Sequence, residues 1–167
     1  MSTWEHTGMR RDGIQHRMPI QREITVAPDR FEVAADDAIL VAELRSAIAV
    51  CIYDAVEEAG ALLHLRCIIR SAKPVDMTDS TLATELLLLD RCIESMREVA
   101  PGARNLQARV LVHLPDLPHA RETFDGILTM VEHFLTDAGV RVLPLDVAAG
   151  PVRALRFRPS MGWLQTR

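Results

Sequence analysis

Aromatic side chains are scarce in this chain: one tyrosine, two tryptophans and four phenylalanines among 167 residues. Aliphatic residues must therefore fill most of any core. Positive charge is not in excess. Nineteen Lys and Arg face 23 Asp and Glu, for a net charge of -4, which argues against a nucleic-acid surface. No apolar run approaches the roughly 20 residues needed to cross a bilayer, so no membrane insertion is expected. Residues 1–17 are polar and mixed in charge, with no apolar signal segment, which leads us to expect a cytoplasmic protein.

Cysteine is limited to Cys51, Cys67 and Cys92. An odd number, widely spaced and each within an apolar segment, fits reduced thiols packed in a core. No CxxC pair or Cys/His cluster has zinc-ligand spacing. Neither a metal nor a cofactor is therefore expected. The length suits one domain, over 19–167, after a flexible tail over 1–18.

What is present is a run of apolar segments with strand and helix signatures. Ile20 to Val26 reads as a first strand, broken by Pro28-Asp29-Arg30. Asp36-Asp37 forms a turn before a short strand, Ala38 to Ala42. Ala47 to Tyr53 is almost continuously apolar and fits a strand buried on both faces under helices. After an acidic turn, Ala61 to Ile69 alternates. Leu63, Leu65 and Cys67 share one face; Leu62, His64, Arg66 and Ile68 share the other. Ser71 to Asp79 reads as a polar linker.

Ser80 to Val99 carries a helical stripe of Leu82, Leu86, Leu89, Ile93 and Met96, with Asp79 or Ser80 as cap and Pro101-Gly102 as stop. Leu106 to Leu114 alternates as a strand. Arg121 to Ala138 is a second helix ending at Gly139. Val140 to Val147 reads as one strand. Ala154 to Phe157 and Gly162 to Thr166 read as a closing hairpin with Phe157 and Trp163 in the core. This order suggests an α/β layered sandwich with a mixed sheet.

Two adjoining segments carry a resemblance. Leu44-Arg-Ser-Ala47 leads into a strand ending Tyr53-Asp54, and Gly60-Ala-Leu-Leu-His64 follows. This arrangement resembles the CheD family, the chemoreceptor glutamine deamidases, whose site opens with Leu-Gly-Ser-Cys and continues with a Gly-x-x-x-His strand. Further matches are Thr81-Leu-Ala-Thr-Glu-Leu-Leu-Leu-Leu89, Leu106-Gln-Ala-Arg-Val110 and Val140-Arg-Val-Leu-Pro-Leu-Asp-Val147. The resemblance extends over roughly Ile20 to Arg167. It implies an α/β/α sandwich of the kind that family shares with deamidating toxins. It places the family's catalytic cysteine on Ala47, its histidine base on His64 and its threonine on Val41.

The departures are chemically coherent. Deamidation by this route needs a thiolate beside an imidazole, and Ala47 supplies none. The family's glycines before the cysteine are replaced by Glu43 and Arg45, and its late Gly-Gly by Ala148-Ala149. Arg66 lies on the face of His64 and disfavours an imidazolium. Cys51 shares the face of Ala47 but lies roughly 13 Å further along the strand. Ser46 and Cys67 point elsewhere and read as structural.

His113, Pro115, Asp116, Pro118 and His119 read as a solvent loop, with a metal site as the alternative. Arg153, Arg156 and Arg158 read as a charged edge strand. The resemblance implies a place in bacterial chemotaxis. The expected function is a CheD-like protein without activity that binds chemoreceptor cytoplasmic helices or a CheC-like phosphatase. The alternative is an active protein-glutamine deamidase with a shifted nucleophile.

Overall fold

The computed structural model describes residues 21–67 and 80–167. The tail over 1–18, the linker over 71–79, and the outer ends of the first strand and of the His64 strand lie outside the described residues. The described residues form a mixed α/β fold with two sheets and two helices. The elements are β1 (Glu23–Thr25), β2 (Arg30–Ala34), β3 (Ile39–Leu44), β4 (Ala47–Asp54), β5 (Ala59–Arg66), α1 (Ser80–Val99), β6 (Gln107–Leu114), α2 (Ala120–Asp137), β7 (Arg141–Val142), β8 (Asp146–Ala149), β9 (Arg153–Arg158) and β10 (Trp163–Thr166).

The larger sheet has β4 at its centre. β5 and β6 flank it antiparallel, β2 pairs with β5, and β7 and β8 both pair in parallel with β6. The smaller sheet runs β1-β3-β9-β10. Alternation along β4 divides the core. Ile48, Val50 and Ile52 face Leu89, Ile93 and Met96 of α1 and Phe124, Leu128 and Val131 of α2. Ala47, Ala49, Cys51 and Tyr53 face Leu40, Leu44, Leu155 and Phe157 of the smaller sheet.

The layers are therefore helices, sheet and sheet, where helices on both faces of β4 were expected. The reason lies in β3 and β9. Leu40, Ala42 and Leu44 alternate on one, and Leu155 and Phe157 on the other, so the two strands make a second apolar sheet face. Between β3 and β4 the chain changes sheet through just Arg45 and Ser46, and Ser46 turns the corner with φ 47°.

Other details differ from the sequence reading. β2 was not foreseen: Phe31 and Val33 pack on the helix-side core just after the Pro28 break. The strand expected over Val140 to Val147 is split at Pro144, which lacks an amide donor. Phe157 is fully buried, but Trp163 is 43% exposed because it lies opposite Arg158 on the outer row of the smaller sheet. β9 is not an edge strand, since β3 and β10 flank it. Its arginines are ion-paired: Arg153 with Asp146 at 2.6 Å, Arg156 with Glu23, Arg158 with Asp37. No helix among the described residues is long and apolar enough to cross a membrane.

Candidate functional site

The start of β4 is where the sequence-marked residues meet. Register sets Ala49 opposite His64 and Ala47 opposite Arg66 on β5. On the other side, Ala47 stands opposite His113 of β6. Cross-strand partners share a face, so Ala47, His64 and His113 all look toward the smaller sheet, with His64 diagonal to Ala47. Ala47 has no exposed surface, His64 is 2% exposed and His113 5%.

Val41 does not join them. Leu40 and Ala42 turn into the inter-sheet core, and Val41 lines a hollow on the outer face of the smaller sheet. It connects to His64 through backbone alone. The Val41 carbonyl accepts the Val26 N–H at 2.8 Å, and the Val26 carbonyl accepts Nδ1–H of His64 at 3.2 Å.

That bond leaves Nε2 of a neutral His64 with a free lone pair, as a general base requires. Burial pushes the His64 pKa down from its usual 6.5. The Val26 carbonyl and the Asp29 charge oppose the shift, and Arg66 adds only a small further lowering. Arg66 is engaged elsewhere: its guanidinium holds Asp29 at 2.8 Å and its N–H donates to the same carboxylate at 3.0 Å. Burial, rather than Arg66, keeps this imidazole neutral.

A pH dependence follows, with a definite sign. A histidine whose folded pKa lies below its unfolded value stabilises the fold fully above 6.5 and loses that contribution as pH falls toward the folded pKa. Urea denaturation at a series of pH values is expected to show declining stability below pH 6.5, and His64→Leu to flatten that part of the decline. An unchanged pH profile in the variant would remove His64 as its source.

All three thiols are buried, so none is available as a nucleophile. Cys51 is nearer to His64 than the strand spacing suggested: His64 stands opposite Ala49, so Cys51 and Ala47 are both diagonal to it on one face, but Cys51 is fully enclosed opposite Leu62 and Arg109, and Cys67 faces the helix-side core. Burial raises both thiols far above their usual range and pushes Cys92 up to about 12. Ser46 is committed to structure: its Oγ–H donates to the Cys67 carbonyl at 2.9 Å.

His113 is the residue that sequence reasoning misplaced. It lies in β6, not in a solvent loop. Nδ1 accepts the Ser46 N–H at 3.1 Å, and Nε2–H is shared between the carbonyls of Gly150, 3.0 Å, and Pro151, 2.8 Å. It thus clips the inter-sheet corner to the segment that follows β8. Its place in the alternation with Arg109 and Leu111 was the available signal. Among the described residues no three His, Cys, Asp or Glu side chains are grouped to hold a metal ion. His119 lies at the start of α2, 3.5 Å from Glu122.

The chain was compared with protein-family models and with curated proteins, and nothing matches in either case. The site's chemistry must be judged from its own atoms. It offers a buried, neutral imidazole beside a methyl group. Such a pair can neither attack a carboxamide nor admit one, because the position next to the imidazole is enclosed.

Proposed function

We propose that this chain is a CheD-like protein of bacterial chemotaxis signalling that works by binding and not by deamidation. Its partner is a chemoreceptor cytoplasmic helix or a CheC-like phosphatase. One observation carries the loss of activity: at the position matching the family's nucleophile, Ala47 presents a methyl group on the same buried face as His64. The order of elements is in keeping with the family reading, although the layers are helices, sheet and sheet and not the α/β/α arrangement that the resemblance implies. Strands come first, then helix, strand, helix, short strands and a closing hairpin.

The reading is tested by titrating the full chain with methyl-accepting receptor fragments and with a CheC-like phosphatase in a calorimeter. A micromolar or tighter dissociation constant with one of them, within the roughly μM-to-pM span of specific protein interfaces, is expected. Receptor glutamines should meanwhile keep their mass. Absence of binding to both partners would overturn the binding role.

A further inference from the structure

Both faces of the larger sheet and the inner face of the smaller one are covered. The outer face of the smaller sheet is not covered among the described residues. Register gives its rows. Ile39, Arg158 and Trp163 lie across one row; Val41, Arg156 and Gln165 across the next; Glu43, Ala154 and Arg167 across the third. Two hollows of about 480 and 360 Å³ indent this face. Trp163, 43% exposed, and Met161, 64% exposed, stand at its β10 side.

Charge on this face balances. Arg156 and Arg158 are neutralised by Glu23 and Asp37. Glu43 and Arg167 have no ion-pair partner among the described residues, and they stand at opposite ends of one row. One free acid on β3 and one free base beyond the end of β10, on the two strands that flank β9, make the three-stranded part of this face beside β1 complementary to itself.

We propose that this face binds a second copy of the chain through a two-fold axis running along β9. That operation keeps each row in place and reverses its order. Glu43 then meets Arg167 of the second copy, and Arg167 meets Glu43. Trp163 lies over the hollow at Ile39 of the second copy, and the reverse. Arg156 and Arg158 sit near the axis against their own counterparts, each already held by a carboxylate in its own sheet. Two stacked sheets with strands nearly aligned follow the common face-to-face packing, about 10 Å apart. This surface is remote from Ala47 and His64 and does not depend on the CheD-like reading.

The test is sedimentation of the full chain at low salt over a wide concentration range. The expected mass rises with concentration from 18.6 kDa toward twice that value. Arg167→Glu is expected to weaken association at least about tenfold, and adding Glu43→Arg to restore it to within about threefold, since the swap re-forms both ion pairs. Trp163→Glu is expected to abolish it. Thermal melts by circular dichroism establish that each variant is folded. A monomer up to about 200 μM, a concentration that would still populate a weak complex, would overturn the proposal. So would a dimer indifferent to both single substitutions, or one that the charge swap fails to restore.

Discussion

Replacing Asp54 with alanine is expected to destabilise the chain by roughly 3 kcal/mol, the upper end for hydrogen bonds to a charged group. Asp54 ends β4 and is 1% exposed. Its Oδ1 accepts the N–H groups of Val56, 2.9 Å, and Glu57, 3.2 Å. Its Oδ2 accepts those of Arg104, 3.1 Å, and Asn105, 3.0 Å. One carboxylate thus closes the turn between β4 and β5 and pins the loop between α1 and β6 to it. Burial alone would raise its pKa, but the four backbone donors outweigh burial and hold it below the usual 3.8.

Alanine leaves all four donors unmet. Asparagine is no substitute, because its amide would turn donors toward one donor pair. Urea denaturation should show a lower midpoint with the slope unchanged. The sign of the acid response also follows. A carboxyl with a lowered folded pKa contributes fully above 3.8 and loses its contribution as pH falls below it. The variant should therefore lose less stability than the native chain on acidification below that value. A loss under about 1 kcal/mol, the net worth of one ordinary hydrogen bond, would show that water replaces the carboxylate easily.

Gly60→Ala is expected to cost roughly 2–3 kcal/mol, in the range of overpacked cores. Gly60 lies on β5 between Tyr53 of β4 and Ala34 of β2. A Cβ there would stand 2.5 Å from the Ile52 carbonyl oxygen and 2.9 Å from Cβ of Pro159. Both obstacles belong to fixed parts of the fold: one is backbone, the other opens the 3-10 turn between β9 and β10. Valine should cost more than alanine. Thermal denaturation of the two variants gives the order, and an alanine variant as stable as the native chain would show that β4 and the turn yield freely. This glycine is also part of the sequence resemblance. Packing accounts for it without any catalytic duty.

The apolar runs made β4, β5 and both helices legible, and Gly139, with φ 79°, ends α2 where the sequence marks a stop. The second sheet was harder to read. β3 pairs with β9, more than a hundred residues away, and periodicity reports that a face is buried without saying what buries it. The same gap explains Trp163, whose exposure depends on which row it joins, and Val41, whose side chain leaves the inter-sheet layer. β2 escaped because five residues after a proline turn carry a weak pattern. At the site, only the resemblance put Ala47 and His64 together, because alternation along each strand does not give the register between them. The clip made by His113 was not legible either, because its partners, Ser46, Gly150 and Pro151, come from distant parts of the chain.

The most direct measurement is a deamidation assay. Methyl-accepting receptor fragments are incubated with the native chain and, separately, with Ala47→Cys, and each glutamine is followed by mass spectrometry for the gain of one dalton. No gain is expected with the native chain, since Cys51, diagonal to His64 on the same face, is wholly enclosed and burial holds its thiol in the protonated form. None is expected with Ala47→Cys either, because residue 47 is wholly enclosed and burial would hold a new thiol in its protonated form. Deamidation by the native chain would contradict the loss of the nucleophile. Deamidation by Ala47→Cys alone would contradict the enclosure of the site and leave an open pocket lacking only its sulfur.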